Sequence, residues 1–200
     1  MLSKKGLVSI VVVWFLLTLV NYYYMNFFFL AFIWLGMILT LAVLTVIQMI
    51  KTIKERNKIT RFRISKLLVF LALLILTIYR HKTNQVIEKV DWLIFENKRN
   101  EIVKQVINNE LNPNVSWNGW ICELPFEFPV VSNGGNDIGI SRNKGTTVTF
   151  WVFRYYFDSP SIHFVYSDDP DEIKKLDQQV ADYPDDNWKI KENWYRKYGN

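Results

Sequence analysis

Cysteine is almost missing from this chain: Cys122 is the only one in 200 residues, so no disulfide can form within it. A domain of roughly 120 residues buries enough surface to fold without one. The lone thiol is therefore neutral as to compartment and reads as a small buried apolar residue. Histidine is nearly as scarce, with only His81 and His163. One cysteine and two distant histidines leave no zinc site of the usual kind. The chain also lacks a Gly-x-Ser-x-Gly elbow, a phosphate-cradling glycine loop and a His-Glu-x-x-His helix. No catalytic residue, metal ligand or cofactor site is assigned from the sequence.

Charge is missing from one long stretch. Between Lys5 and Lys51, 45 residues pass without an Asp, Glu, Lys or Arg. A single helix of that length would run about 68 Å, more than twice the hydrocarbon thickness of a bilayer. Two helices folded back on each other fit better, with spans at about 7–24 and 27–49. Asn21 and Asn26 mark the break and bracket Tyr22, Tyr23, Tyr24 and Met25, and tyrosine favours the membrane interface. The first span resembles a secretory signal, but small residues for cleavage do not follow it, so an uncleaved signal-anchor is expected. The absence of an acyl-acceptor cysteine after it excludes a lipoprotein reading.

A third apolar run, Ile64 to Tyr79, has 16 residues and would make a helix of roughly 24 Å. That is short for a span, with Lys66 and Tyr79 placed to reach the two interfaces. The spans are free of mid-depth charge apart from Lys66 near an end, which suits an anchor better than a transport pathway.

The charges that are present divide the chain. Residues 1–80 carry ten Lys/Arg against Glu55 alone, whereas 81–200 carry fourteen against eighteen acids. The basic balance thus belongs to the membrane flanks, and a nucleic-acid partner is not expected. The loop at 51–66 holds seven basic residues in sixteen, a strong positive-inside signal. It argues for a cytoplasmic N-terminus, three spans and an extracytoplasmic 81–200 domain in a cell membrane. Arg80, His81 and Lys82 oppose that orientation but are outnumbered. Richness in Ile, Lys and Asn points to an AT-rich bacterial genome.

From Thr83 to Leu111 there is neither glycine nor proline. Val86, Val90, Leu93 and Ile94 recur at helical spacing, as do Ile102, Val103, Val106 and Ile107. The pattern predicts a long amphipathic helix lying against the rest of the domain and stopped by Asn112-Pro113-Asn114. Beyond it the period becomes two. Strands are expected at 121–124, 128–131, 138–141, 146–157, 162–166 and 188–190, with turns at 132–136, 142–145 and 158–160. Residues 193–198 read as an aromatic tail. Asp169-Pro170-Asp171-Glu172 opens a helix, with Asp169 as N-cap, proline at its first position and acids in its first turn. That order accounts for the acidic cluster at 168–172 without calcium.

The fold class expected is therefore membrane α-helical, with three transmembrane helices, plus a C-terminal α+β domain whose antiparallel sheet packs on helices in two layers. The domains are 1–80, a membrane anchor, and 81–200, a soluble domain. Trp117 and Trp120 flank Asn118-Gly119 in a loop: exposed, they are the candidate binding residues, since tryptophan offers large contact area at low entropic cost, and buried, they are part of the core, as is usual in a domain of this size. The expected partners are the lipid bilayer and a protein at the cell envelope. The expected role is recognition or protection by a displayed domain, of the kind an immunity protein or accessory subunit performs. The alternative is an envelope enzyme with its active site in 81–200.

Overall fold

The computed structural model describes residues 3–24, 27–153 and 161–199 and divides into two compact units. The first is built from helices α1 (Lys4–Tyr23), α2 (Phe27–Lys54) and α3 (Arg61–Ile78), and it takes in the start of α4 (Arg80–Ile107) up to Lys89. Two helices here are long and apolar enough to cross a membrane, and up to three if the bent pair α3–α4 counts as one span.

Leu7, Leu41, Phe70 and Leu73 form the buried centre of this unit, with Trp14, Leu44 and Phe62 packed around them. Most other apolar side chains point outward. An apolar exterior around a small apolar centre is the pattern of helices surrounded by hydrocarbon. Trp14 Nε1 donates to Thr77 Oγ1 at 2.8 Å, closing α1 against α3. Between α2 and α3 lies a short 3-10 turn, Arg56–Lys58, and Thr60 caps α3 by accepting from the Arg63 amide at 3.2 Å. Arg63 donates twice to Glu55, at 2.6 and 2.8 Å, so the only acid of the basic loop is engaged inside it. Lys66, expected to reach for the headgroups, is buried instead, with its ammonium 4.4 Å from the centre of the Phe62 ring.

The second unit comprises Tyr22–Phe27 and Val90–Asn200. Its frame is a six-stranded antiparallel sheet in the order β1-β2-β3-β4-β6-β5: β1 (Ile121–Glu123), β2 (Asp137–Arg142), β3 (Thr146–Phe153), β4 (Ile162–Ser167), β5 (Trp188–Lys191) and β6 (Trp194–Tyr198). The first four strands pair in sequence order as an antiparallel meander, without the strand expected at 128–131. The end of the strand expected at 146–157, and the turn at 158–160, lie outside the described residues.

Three expectations about the sheet and its layers change. Residues 194–198, read as a tail, are an inner strand between β4 and β5, with Val165 opposite Tyr195 and Phe164 opposite Arg196. Residues 128–131 form no strand. Asn136 instead gathers that loop, donating from Nδ2 to the carbonyls of Phe126, Glu127 and Pro129 and accepting from the amides of Val131 and Ser132. The expected two layers become three over part of the sheet. Trp92 of α4 packs on Phe164 and Trp194, while α5 (Pro170–Asp182) places Leu176 on Val165 and Tyr195. Phe164 and Val165 are neighbours in one strand and so face opposite ways.

Helix α4 stops before its expected end. Asn109 adopts φ 61°, and Arg142 reaches across to the carbonyls of Val106 and Leu111 at 2.8 and 3.2 Å. Asparagine tolerates that left-handed conformation, which ends helices. The helix buries Ile102, Val103 and Val106 as expected, but Ile107 is exposed, and so are Val86, Val90, Leu93 and Ile94. The face turned inward carries Asp91, Trp92 and Arg99 instead. Arg99 donates to Asp91 Oδ2 at 2.5 Å and to the Val131 carbonyl at 3.0 Å, and its guanidinium lies 4.8 Å from the Phe164 ring. Burial pushes the Asp91 carboxyl above its ordinary range, and Arg99 opposes that shift. Tyr22 and Tyr23, the last residues of α1 and part of this second unit, join this centre. Tyr23 donates to Asp91 Oδ1 at 2.8 Å, and Asn133 donates to the Tyr22 carbonyl at 2.8 Å.

Candidate binding site

Among the described residues, a cavity of about 410 Å³ lies on the face of the sheet opposite α4. Strand register builds its floor. Trp151 on β3 lies opposite His163 on β4, which lies opposite Lys197 on β6, so the three form one row across the sheet. Thr147, Thr149 and Val165 come to the same face by the period of two. Glu172, in the first turn of α5, supplies a wall, and Ser161 stands at the entrance to β4.

Trp120 closes the opposite side. Its ring lies 5.6 Å from that of Trp151, and its carbonyl accepts from the Ile140 amide at 2.8 Å. Gly139 makes room for it: a Cβ there would fall 2.5 Å from the indole. The indole remains 48% exposed. Trp117 is 79% exposed and does not line the cavity. The two sequence candidates therefore stand in different surroundings, one at the cavity and one beside it.

The lining is chemically mixed. Two indoles and Val165 contribute apolar surface, Thr147, Thr149 and Ser161 contribute hydroxyls, of which that of Thr147 is paired with Ser167 Oγ at 2.8 Å, and Glu172 and Lys197 carry opposite charges. Burial pushes the Lys197 ammonium down from its ordinary value, with Glu172 acting against the shift. Trp151 and His163 meet edge to face at 5.9 Å. A pocket of this size with aromatic walls and a few polar groups is the usual form of a small-ligand site. Sequence reading missed Trp151, His163 and Lys197 because they lie far apart in the chain and meet only through register.

The other groups singled out have structural partners. Asp169 accepts from the amides of Asp171 and Glu172 at 2.9 and 3.4 Å as an N-cap, and also from the Lys144 amide at 3.3 Å. Among the described residues, no group of three His, Cys, Asp or Glu side chains is arranged to hold a metal ion. Cys122 is buried, and that burial, reinforced by Asp137, pushes its thiol up. Between α1 and α2 a second cavity of about 530 Å³ is lined almost wholly by apolar groups, including Ile10, Trp14, Met37 and Leu41.

No protein-family model, no curated protein and no solved structure matches this chain.

Proposed function

We propose that this chain is a multi-pass membrane protein of the cell envelope that displays an extracytoplasmic recognition domain, and that the domain binds a polar ligand at the Trp120–Trp151 cavity. The observation that carries the reading is that cavity: two indoles, several hydroxyl groups and a pair of opposite charges line one pocket on a face of the sheet. A ligand with one apolar face and many hydroxyls, such as a sugar ring, complements both kinds of lining. Protection or accessory roles fit the same display of a binding surface, and a protein partner presenting such a group would engage the same cavity.

The membrane part of the reading rests on the two or three apolar helices and on the seven basic residues at 51–66. Tyr22 and Tyr23, at the end of α1, hydrogen-bond with Asn133 and Asp91 of the sheet unit, which supports it further. On this reading the sheet unit is extracytoplasmic and the basic loop cytoplasmic. A third span by α3 completes that arrangement. Protease added to intact cells or spheroplasts should remove the sheet unit and spare the basic loop; a sheet unit cut only after lysis would overturn the orientation.

Ligand binding is tested by calorimetric titration of the full-length protein in nanodiscs with envelope glycan fragments. The wild type should bind at least one fragment, and Trp120→Ala should weaken that binding by about 2 kcal/mol or more, as loss of an aromatic anchor does. Release of a cleaved fragment during the titration would favour the enzyme reading, in which His163 and Glu172 become the acid–base pair to examine.

A further inference from the structure

Helix α4 carries an apolar stripe that the fold leaves uncovered. Val86, Val90, Leu93 and Ile94 are 62, 50, 74 and 63% exposed. Their spacing puts them on one side of the helix over its first four turns. We infer that this stripe rests on the surface of the bilayer, so that the first half of α4 lies in the lipid interface as it leaves the membrane. The inference rests on the reading of α1–α3 as membrane helices.

Three observations favour lipid as the occupant. First, α3 and α4 meet at 85°, so a helix that leaves α3 at the membrane surface runs nearly parallel to that surface. Second, Thr83 fixes which side of α4 faces back. Its hydroxyl donates to the Leu76 carbonyl in the last turn of α3 at 2.9 Å. Val86, Val90 and Ile94 follow Thr83 at i+3, i+7 and i+11, on the side turned toward the end of α3.

Third, charge is sorted around the stripe. Glu88 and Asp91, the two acids of this half, are buried on the other side of α4. Lys82 and Lys89 are exposed along the stripe's border, where their stems can follow the apolar surface and their ammonium groups can meet anionic headgroups. Beyond Ile94 the same side turns polar, with Asn97, Glu101 and Lys104. The apolar part therefore ends about 22 Å from Tyr79 at the helical rise. A stripe apolar only where it adjoins the span, and edged with lysine, has the composition of an interfacial helix.

The test is a nitroxide scan of the full chain in nanodiscs of phosphatidylcholine and phosphatidylglycerol. Val90→Cys and Leu93→Cys report the stripe, Glu101→Cys its polar continuation, and Leu39→Cys an outward position of α2. All four sites are exposed, and the wild-type protein, whose Cys122 is buried, serves as the labelling blank. Labels at 90 and 93 should collide several-fold more with oxygen than with a water-soluble nickel chelate, as the label at 39 should, while the label at 101 shows the reverse. Nickel-favoured collision at 90 and 93, with oxygen-favoured collision at 39, would overturn the inference and leave the spans standing. Shielding from both reagents at 90 and 93 would mean that a second copy or another protein covers the stripe, and would also overturn it. Nickel-favoured collision at 39 would remove the membrane reading and the inference with it.

Discussion

Among the described residues the two faces of the sheet are lined differently, and on the proposed reading the difference separates what holds the domain together from what binds. On the α4 face, Trp92, Phe164, Trp194 and Arg99 interlock, and Asp91 sits behind them with Tyr23 on its second oxygen. On the other face, among the described residues, α5 packs Leu176 on Val165 and Tyr195, and the row Trp151, His163, Lys197 lines the cavity, with Trp151 and His163 themselves buried. Alternation along each strand sends one residue to the seal and the next to the cavity. Ile162 and Phe164 are apolar and point to one side, while His163, also buried, points to the other and lines the cavity.

The largest effect should come from the sealed face. Asp91→Ala leaves the Arg99 charge buried without its carboxylate, so melting of the purified protein should report a loss of about 3–5 kcal/mol. Replacing both, as Asp91→Leu with Arg99→Met, should cost clearly less, because neither charge is then stranded. A double variant no better than the single one would mean that packing, not charge pairing, dominates that face. The binding site should show the opposite split. Trp120→Ala should weaken ligand binding by about 2 kcal/mol or more while costing little stability, since the indole is half-exposed. A steep fall in melting temperature with unchanged affinity would reverse the roles of the two faces.

A smaller effect is expected at the cap of α5, which carries Glu172 into the cavity wall. Asp169→Ala should cost about 1 kcal/mol by the loss of its capping bonds. Asp169→Asn should recover only part of that. Its Oδ1 role can be kept, but an amide NH₂ would replace the oxygen that accepts from Lys144. Equal melting of the Asn variant and the wild type would show that the Lys144 contact contributes nothing. The smallest effect belongs to Trp117, which is exposed and outside the cavity. Trp117→Ala should shift stability by no more than about 0.5 kcal/mol and leave ligand affinity unchanged. A large loss of affinity there would extend the binding surface beyond the cavity.

Much of the local structure was legible because it rests on local chemistry. Asp169-Pro170-Asp171-Glu172 names its own helix start, and the charge-free 45 residues announce the apolar helices. The strand at 194–198 was missed because its apolar and basic residues alternate weakly. The hairpin turn before it is signalled only by Asn193, at φ 62°. The stripe on α4 was visible as a pattern, but its direction was not. A period of 3.6 shows that Val86, Val90, Leu93 and Ile94 share a side, whereas the buried pair of Asp91 and Arg99 decides which side turns inward. The cavity was half legible: Trp120 stood out as a loop tryptophan, but its partners reach it only through sheet register.

Fluorine NMR of the full-length protein in nanodiscs, with all eight tryptophans replaced by 5-fluorotryptophan, observes both faces in one spectrum. Addition of a bound glycan fragment should move the signals of Trp120 and Trp151 and leave those of Trp92 and Trp194 where they were. Shifts at Trp92 and Trp194, with Trp120 and Trp151 unmoved, would contradict the assignment of binding to the face that carries the cavity.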